Sequence, residues 1–288
     1  MRRLITAAVV VVAMLIPASS ALAAPPHHPT GTFANFGYCP LGNAKTDICV
    51  YSKTKSGSVT TGSKKVPIVN PVILQGGLDL NQETGATTWI NAEGGDTLSK
   101  SPQPVPGGLL GVTAPSWWPQ LLKDLFNETI NNGFTGVTST VELAGPVQFS
   151  LFAFITGAAP AVVLPVKIKL SNPFLGSNCY IGSNSSPIPL ALTSGTTSPP
   201  PPNTPITGSS GSVVSNETGT YIKATGARLV NNSFATPGAN GCGGFLFSWA
   251  VDPLVNSIVG IPSPAGTNTA ILEGDTELGE RPDVEASE

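Results

Sequence analysis

The sequence predicts a mainly β protein: a single antiparallel, β-sandwich-like domain with one short amphipathic helix near 116–131, stapled by two disulfides. Three observations carry that prediction. Apolar, β-branched runs of strand length recur between turn formers, of which the 288-residue chain has 32 Gly and 28 Pro, a pattern of short strands and tight turns. Only one segment has clear helical spacing. Four cysteines, an even number, accompany a beginning that reads as an export signal.

In order along the chain, Arg2 and Arg3 precede an apolar run over 4–16 broken only by Thr6. Pro17 ends the run, and Ala21-Leu22-Ala23 is a small-x-small cleavage site, so residues 1–23 read as a signal peptide cut after Ala23. The run is too short to cross about 30 Å of hydrocarbon. Residues 24–32 form a Pro/His/Gly leader expected to be flexible, 33–272 the β-rich domain, and 273–288, with seven acids, an acidic tail expected to be disordered. The expected location is secreted, extracellular or associated with the cell wall.

Cys39, Cys49, Cys179 and Cys242 fit that address as two disulfides. Three pairings are open; Cys39–Cys49, closing a short loop, and Cys179–Cys242, closing a long one, are preferred. A zinc site is disfavoured, because no pair has C-x2-C spacing and no histidine lies near.

Strand expectations follow. Ile48, Val50 and Val59 mark the first stretch; residues 66–74 are β-branched with Pro67 and Pro71, as at an edge or bulge; Thr87–Asn91 is short. The helix is signalled by Ser116 as cap, Pro119 in the first turn, Trp118, Leu121, Leu122 and Leu125 at helical spacing, and Gly133 as its stop. Strands are then expected at 138–143, 147–155 and 162–170. In the last, Val166, Ile168 and Leu170 alternate with Lys167 and Lys169, the mark of a half-buried strand, and the turn at 156–160 would join the last two into a hairpin. Further short strands are expected at 187–192, 213–214, 220–224, 226–231 and 245–251. The Pro-rich loop 196–205 is of polyproline type and falls inside the long disulfide loop. The uncharged window 143–166 could span a bilayer by length, but Pro146, Pro160 and Pro165 fit a buried hairpin better.

Several chemistries are excluded or weakened. Lys and Arg number 14 against 17 Asp and Glu, with no basic stripe, so no nucleic-acid partner is expected. The only histidines, His27 and His28, sit in the leader, where they cannot serve a Ser-His-Asp or Cys-His nucleophile. No catalytic residue is nominated and no cofactor is expected. Calcium has a weak candidate in Asp79, Asn81, Glu83, Glu93 and Asp96, oxygen donors in a Gly-rich loop without EF-hand spacing. Trp117 and Trp118 are a weak aromatic binding candidate, for a sugar or a membrane surface, against the commoner use as an anchor in the core.

In the C-terminal third, Asn178-Cys179-Tyr180-Ile181-Gly182-Ser183, the stretch TSGTTSPPPP at 193–202, LVNNSFATPGANGCG at 229–243, Asp252-Pro253-Leu254-Val255-Asn256 and GIPSPAGTNTAIL at 260–272 occur in order. The chain in this part resembles a group of uncharacterised exported, signal-peptide-bearing actinobacterial proteins with no known activity, closely over 165–272 and more loosely over 36–75. That resemblance implies a bacterial envelope setting and no site. The expected function is therefore an exported, non-catalytic structural or binding protein of the envelope or extracellular space, with a wall or surface component as the partner class and no stable membrane span. The alternatives are a carrier of a lipid or small apolar ligand, and a carboxylate-dependent hydrolase of envelope glycans.

Overall fold

The structure, a computed structural model, describes residues 24–111, 116–131, 135–158 and 160–288. The expected signal peptide over 1–23 and the stop at Gly133 lie outside the described residues. The chain is mainly β, with two antiparallel sheets packed on each other.

The first sheet holds β1 (Ile48–Thr61), β2 (Lys64–Pro67), β3 (Val72–Leu80), β4 (Thr87–Asn91), β11 (Ser212–Ser215), β12 (Tyr221–Asn231) and β14 (Thr269–Glu280). Its order is β11-β12-β14-β1-β3-β4, with β2 paired to the far end of β1. The second holds β5 (Gln103–Pro104), β6 (Thr138–Leu143), β7 (Gln148–Phe149), β8 (Val162–Ser171), β9 (Tyr180–Ile181), β10 (Ile188–Leu192) and β13 (Ala239–Asn240). Here the order is β13-β9-β8-β6-β5, and β7 and β10 also pair with β8. The α-helices among the described residues are α1 (Gln120–Asn131), α2 (Leu151–Thr156), α3 (Gly244–Val259), which leads from the second sheet to the first, and α4 (Arg281–Ala286), which follows β14.

β8 organises the second sheet. Its burial alternates without a break: Val162, Leu164, Val166, Ile168 and Leu170 point inward, and Lys167 and Lys169 outward, as a strand with one solvated face must. On the outer face Lys167 pairs with Glu142 at 3.7 Å and lies over the Tyr180 ring. The two sheets are tied at one side by the bridge between Thr193 and Val230, which exchange backbone bonds of 3.0 and 2.9 Å.

Both preferred disulfides are present, Cys39–Cys49 and Cys179–Cys242. The first belongs to a second apolar cluster, with Phe36, Leu41, Tyr221 and Val284, on the outer face of β1 and β14. Gly279 lets that layer approach β14 closely: a Cβ there would stand 2.9 Å from the Phe36 ring.

The segment 273–288 is not the disordered tail its acid content predicts. It forms the second half of β14 and then α4, whose Val284 is fully buried. The acids recur at every second residue, so Glu273, Asp275 and Glu277 share one face and Leu272, Thr276 and Leu278 the other. Each acid meets a cross-strand cation: Arg228 with Glu273 at 3.4 Å, Lys55 with Asp275, and Lys223 with Glu277 at 2.9 Å. The leader is also docked: Thr30 N–H donates to Ser287 at 3.0 Å, and His27 lies against Glu288 and Glu93.

Two more expectations are corrected. Residues 245–251 are not a strand but the start of α3, because Val251, Val255 and Val259 at four-residue spacing supply the stripe that meets the core, and Gly260, left-handed at φ 74°, caps the end. Within 147–155 only Gln148–Phe149 is strand; Ser150 then caps α2, accepting from the Ala153 N–H at 3.2 Å. β7 and β8 still pair, around an inserted helix. The expected helix at 116–131 begins at Gln120, just after Pro119.

Candidate functional site

Where the sheets face each other, their inner side chains do not fill the space. A cavity of about 150 Å³ remains between the middle of β8 and the middle of β1 and β14. One wall is Val162, Leu164, Val166 and Ile168 of β8, with Leu190 and Leu192 of β10 beside them. Strand alternation puts all these side chains on one face, and their branched shapes make that wall continuous.

The centre of the opposite wall is made of smaller groups. These are Ser52 and Thr54 of β1 and Gly274 and Thr276 of β14, with Val59, Val72, Leu74, Leu229 and Leu272 around them. Ser52 and Thr276 are direct cross-strand partners, and their hydroxyls bond to each other at 2.9 Å. That mutual bond uses one of the two O–H donors, so the pair keeps one O–H donor together with acceptor lone pairs. The site is thus a mainly apolar chamber with this neutral polar strip at its centre.

At the edge where the sheets meet, β2 packs on β5 and a latch holds them. Gln103 is 5 % exposed; its Oε1 accepts from the N–H groups of Val69 and Asn70, and its Nε2 donates to the Asn70 carbonyl at 2.7 Å. Lys64 stands at the rim and donates to the Gly111 carbonyl. Among the described residues the lining contains no carboxylate, histidine or cysteine.

The residues singled out from the sequence are elsewhere. The calcium candidates do not converge. Asn81 closes its own turn by accepting from Glu83 and Thr84 N–H groups, Glu93 accepts from Gly42 N–H, and Asp96 pairs with Lys100. Asp79 lies on β3, opposite Thr88. Among the described residues no three His, Cys, Asp or Glu side chains gather as a metal set. Asp252 is tied to the Cys242 N–H at 2.7 Å and the Gly241 N–H at 3.2 Å. Trp117 is 80 % exposed, so it is no core anchor; it meets Trp118 edge-on at 6.1 Å.

Several perturbed titrations lie on the outer face of the first sheet. Burial pushes the Tyr51 and Tyr221 phenols up, and the Glu277 charge adds to it. For Asp275, burial opposes ionisation. The Lys55 hydrogen bond, the Gly226 N–H at 3.0 Å and the charges of Lys55 and Lys223 outweigh it and hold the carboxyl below its ordinary range. This network welds β1, β12 and β14 together behind the cavity.

No protein-family model, curated protein or solved structure matches the chain. The cavity went unseen in the sequence. Its one signal is the run of small inward residues on β1 and β14, which is visible only once the two strands are known to be neighbours.

Proposed function

We propose that this protein is an exported, non-catalytic binding protein that carries a small apolar ligand between its two sheets. The observation that carries the reading is the cavity itself: an apolar chamber of about 150 Å³ between sheets that otherwise pack closely. Interiors at native density leave few voids larger than a water molecule. A chamber of this size with mainly apolar walls has room for a single ring or a short alkyl segment. The Ser52–Thr276 strip supplies one neutral hydrogen-bonding contact, which suits an alcohol, ketone or ester carbonyl rather than an acid.

Of the three functions open from the sequence, this favours the apolar carrier over a purely structural envelope protein and over a glycan hydrolase, since no carboxylate faces the chamber. Two disulfides suit an oxidising compartment, and no helix among the described residues is long and apolar enough to cross a membrane. Release to the bacterial envelope or medium follows from the reading of 1–23 as a signal peptide. The test is thermal unfolding of the oxidised chain with ring-sized solutes such as p-xylene and cyclohexanol. A saturable rise in Tm supports the carrier. Unchanged unfolding across apolar solutes of graded size removes it.

A further inference from the structure

The two sides of the chamber are closed by different means. On one side the sheets are joined through backbone, by the paired N–H to carbonyl bonds of Thr193 and Val230. On the other side each sheet ends in a short edge strand, β2 paired to β1 and β5 paired to β6. Such edges leave backbone groups that something else must satisfy. The seam between them is covered by residues 68–71, a strap leading from β2 to β3. The β1–β2 ladder stops at Ser58 and Pro67, and the β1–β3 ladder starts at Thr54 and Val72, so the strap belongs to neither. Pro71 has no N–H to give, and the Ile68 N–H donates to the Gly57 carbonyl at 3.0 Å. The Val69 and Asn70 N–H groups both go to a side chain, Gln103 Oε1, at 2.9 and 3.0 Å. Gln103 Nε2 completes the tie, donating to the Asn70 carbonyl at 2.7 Å and the Ser101 carbonyl at 3.2 Å. Asn70 adds one bond of its own, from Nδ2 to the Pro102 carbonyl.

The strap stands between the chamber and solvent. Val66, Ile68 and Val72 line the chamber from its side, and Ser99, Ser101 and Val105 line it from the other, with Gln103 between. Outside, Val69 is 54 % exposed, and Asn70 and Pro71 are exposed too. A segment inside a ladder opens with its sheet, whereas one held by a single side chain opens locally. Beyond the strap the two jaws are pinned through backbone: Ser99 N–H donates to the Ile73 carbonyl and Gln75 N–H to the Thr97 carbonyl, both at 2.8 Å. Opening is therefore confined to the strap.

We infer that residues 68–71 are the gate of the chamber and Gln103 is its latch. Ligand passes when the Gln103 bonds to Val69 and Asn70 break while both sheets stay folded. The inference rests on the carrier reading, because a gate needs a ligand to admit. Gln103 sets the rate of passage rather than the affinity, since its polar ends are spent on the strap and on Ser101.

The experiment follows p-xylene exchange with the full oxidised chain by NMR, and amide hydrogen exchange of the ligand-free chain beside it. The Val69 and Asn70 amides are expected to open well before those of the β1 and β8 ladders. Gln103→Leu, which keeps the bulk and loses the latch, speeds p-xylene entry and exit at least about tenfold and changes Kd by less than about twofold. Asn70→Ala, on the exposed strap where folding is not at stake, removes the bond to Pro102 and speeds both about threefold. Val284→Ala destabilises the terminal layer away from the chamber and leaves both rates at the parent's values, which separates gating from a general loss of stability. If p-xylene binds but neither Gln103→Leu nor Asn70→Ala alters its rates, the gate is overturned and the carrier stands. Val69 and Asn70 amides that exchange only with the ladders overturn the gate as well. If parent and Gln103→Leu both ignore p-xylene while those amides open early, the carrier reading is what fails, and the gate falls with it.

Discussion

Filling the cavity from the protein side tests both its existence and its use. Val166 is 1 % exposed, sits at the centre of β8 and points into the chamber. An unfilled volume of about 150 Å³ costs on the order of 3.6 kcal/mol at ~24 cal/mol per Å³. Val166→Phe adds four carbons, and at ~0.8 kcal/mol per buried methylene it can recover up to about 3 kcal/mol. Phe is well suited to a strand, so the backbone opposes little of this. If β8 instead faced a filled core, the same substitution would overpack it and cost about 1–3 kcal/mol. The sign of the change therefore decides. The assay is unfolding of the oxidised chain, where each kcal/mol moves Tm by about 2–4 °C in a chain near this size. The expected outcome is a higher Tm for Val166→Phe together with loss of the p-xylene-induced rise seen in the parent; at a hundredfold excess over Kd that rise corresponds to about 2.7 kcal/mol. A lower Tm in the variant, with the parent indifferent to p-xylene, refutes the argument.

Four further outcomes are expected. The Cys179–Cys242 bridge, with a sequence separation of 63, restrains the unfolded chain by about 4 kcal/mol in the chain-entropy model, so reduction lowers Tm more than loss of Cys39–Cys49, at separation 10, which is worth about 3; matched Cys→Ala pairs measure both. Asp252→Ala strands the Cys242 and Gly241 N–H groups and costs about 1–3 kcal/mol in urea unfolding, while Asp252→Asn, which keeps an acceptor, costs less. Asp275 has a depressed folded pKa, so its stabilisation is present above the unfolded value near 4 and lost as pH falls through the lower folded value. The gap in stability between the parent and Asp275→Asn thus closes below about pH 4; a gap constant down to the lowest pH at which the chain folds contradicts this. Tyr51 and Tyr221 are raised, so their share is present below about pH 10 and lost above it, and Tyr51→Phe flattens the alkaline limb.

Local rules served where one strand or one short loop held all the information. The Val-Lys alternation of β8 reads directly as one buried and one wet face, and Cys39 and Cys49 are close enough in sequence to suggest each other. Those rules failed where composition and period disagreed. In β14 the acids suggest solvation, but Glu273, Asp275 and Glu277 lie at period two and their countercharges come from β1 and β12, far away in sequence. In α3 the aromatic run and Pro253 suggest a strand and a break, yet the four-residue spacing of Val251, Val255 and Val259 decides for a helix. The commoner use of such aromatics as core anchors also fails at Trp117, which is exposed.

The cavity illustrates a deeper limit. A strand that faces a filled core and one that faces a void show the same alternation, so no single segment can reveal the difference. What makes the void is a mismatch in volume across the sandwich: Val162, Leu164 and Val166 on one side meet Ser52, Gly274 and Thr276 on the other. The small residues occupy the two central strands of the first sheet, where neighbours on both sides and the terminal layer behind prevent the sheet from collapsing inward. The ion pairs on the outer face of β14 act in the same direction, since they fix β1, β12 and β14 in register whether or not the chamber is filled. A void held open from behind in this way is one that a ligand can enter without remodelling the sheet. Enlarging Gly274 alone should be less well tolerated than Val166→Phe, because a Cβ on Gly274 would stand 2.0 Å from the Lys53 carbonyl oxygen, on the strand rather than in the chamber.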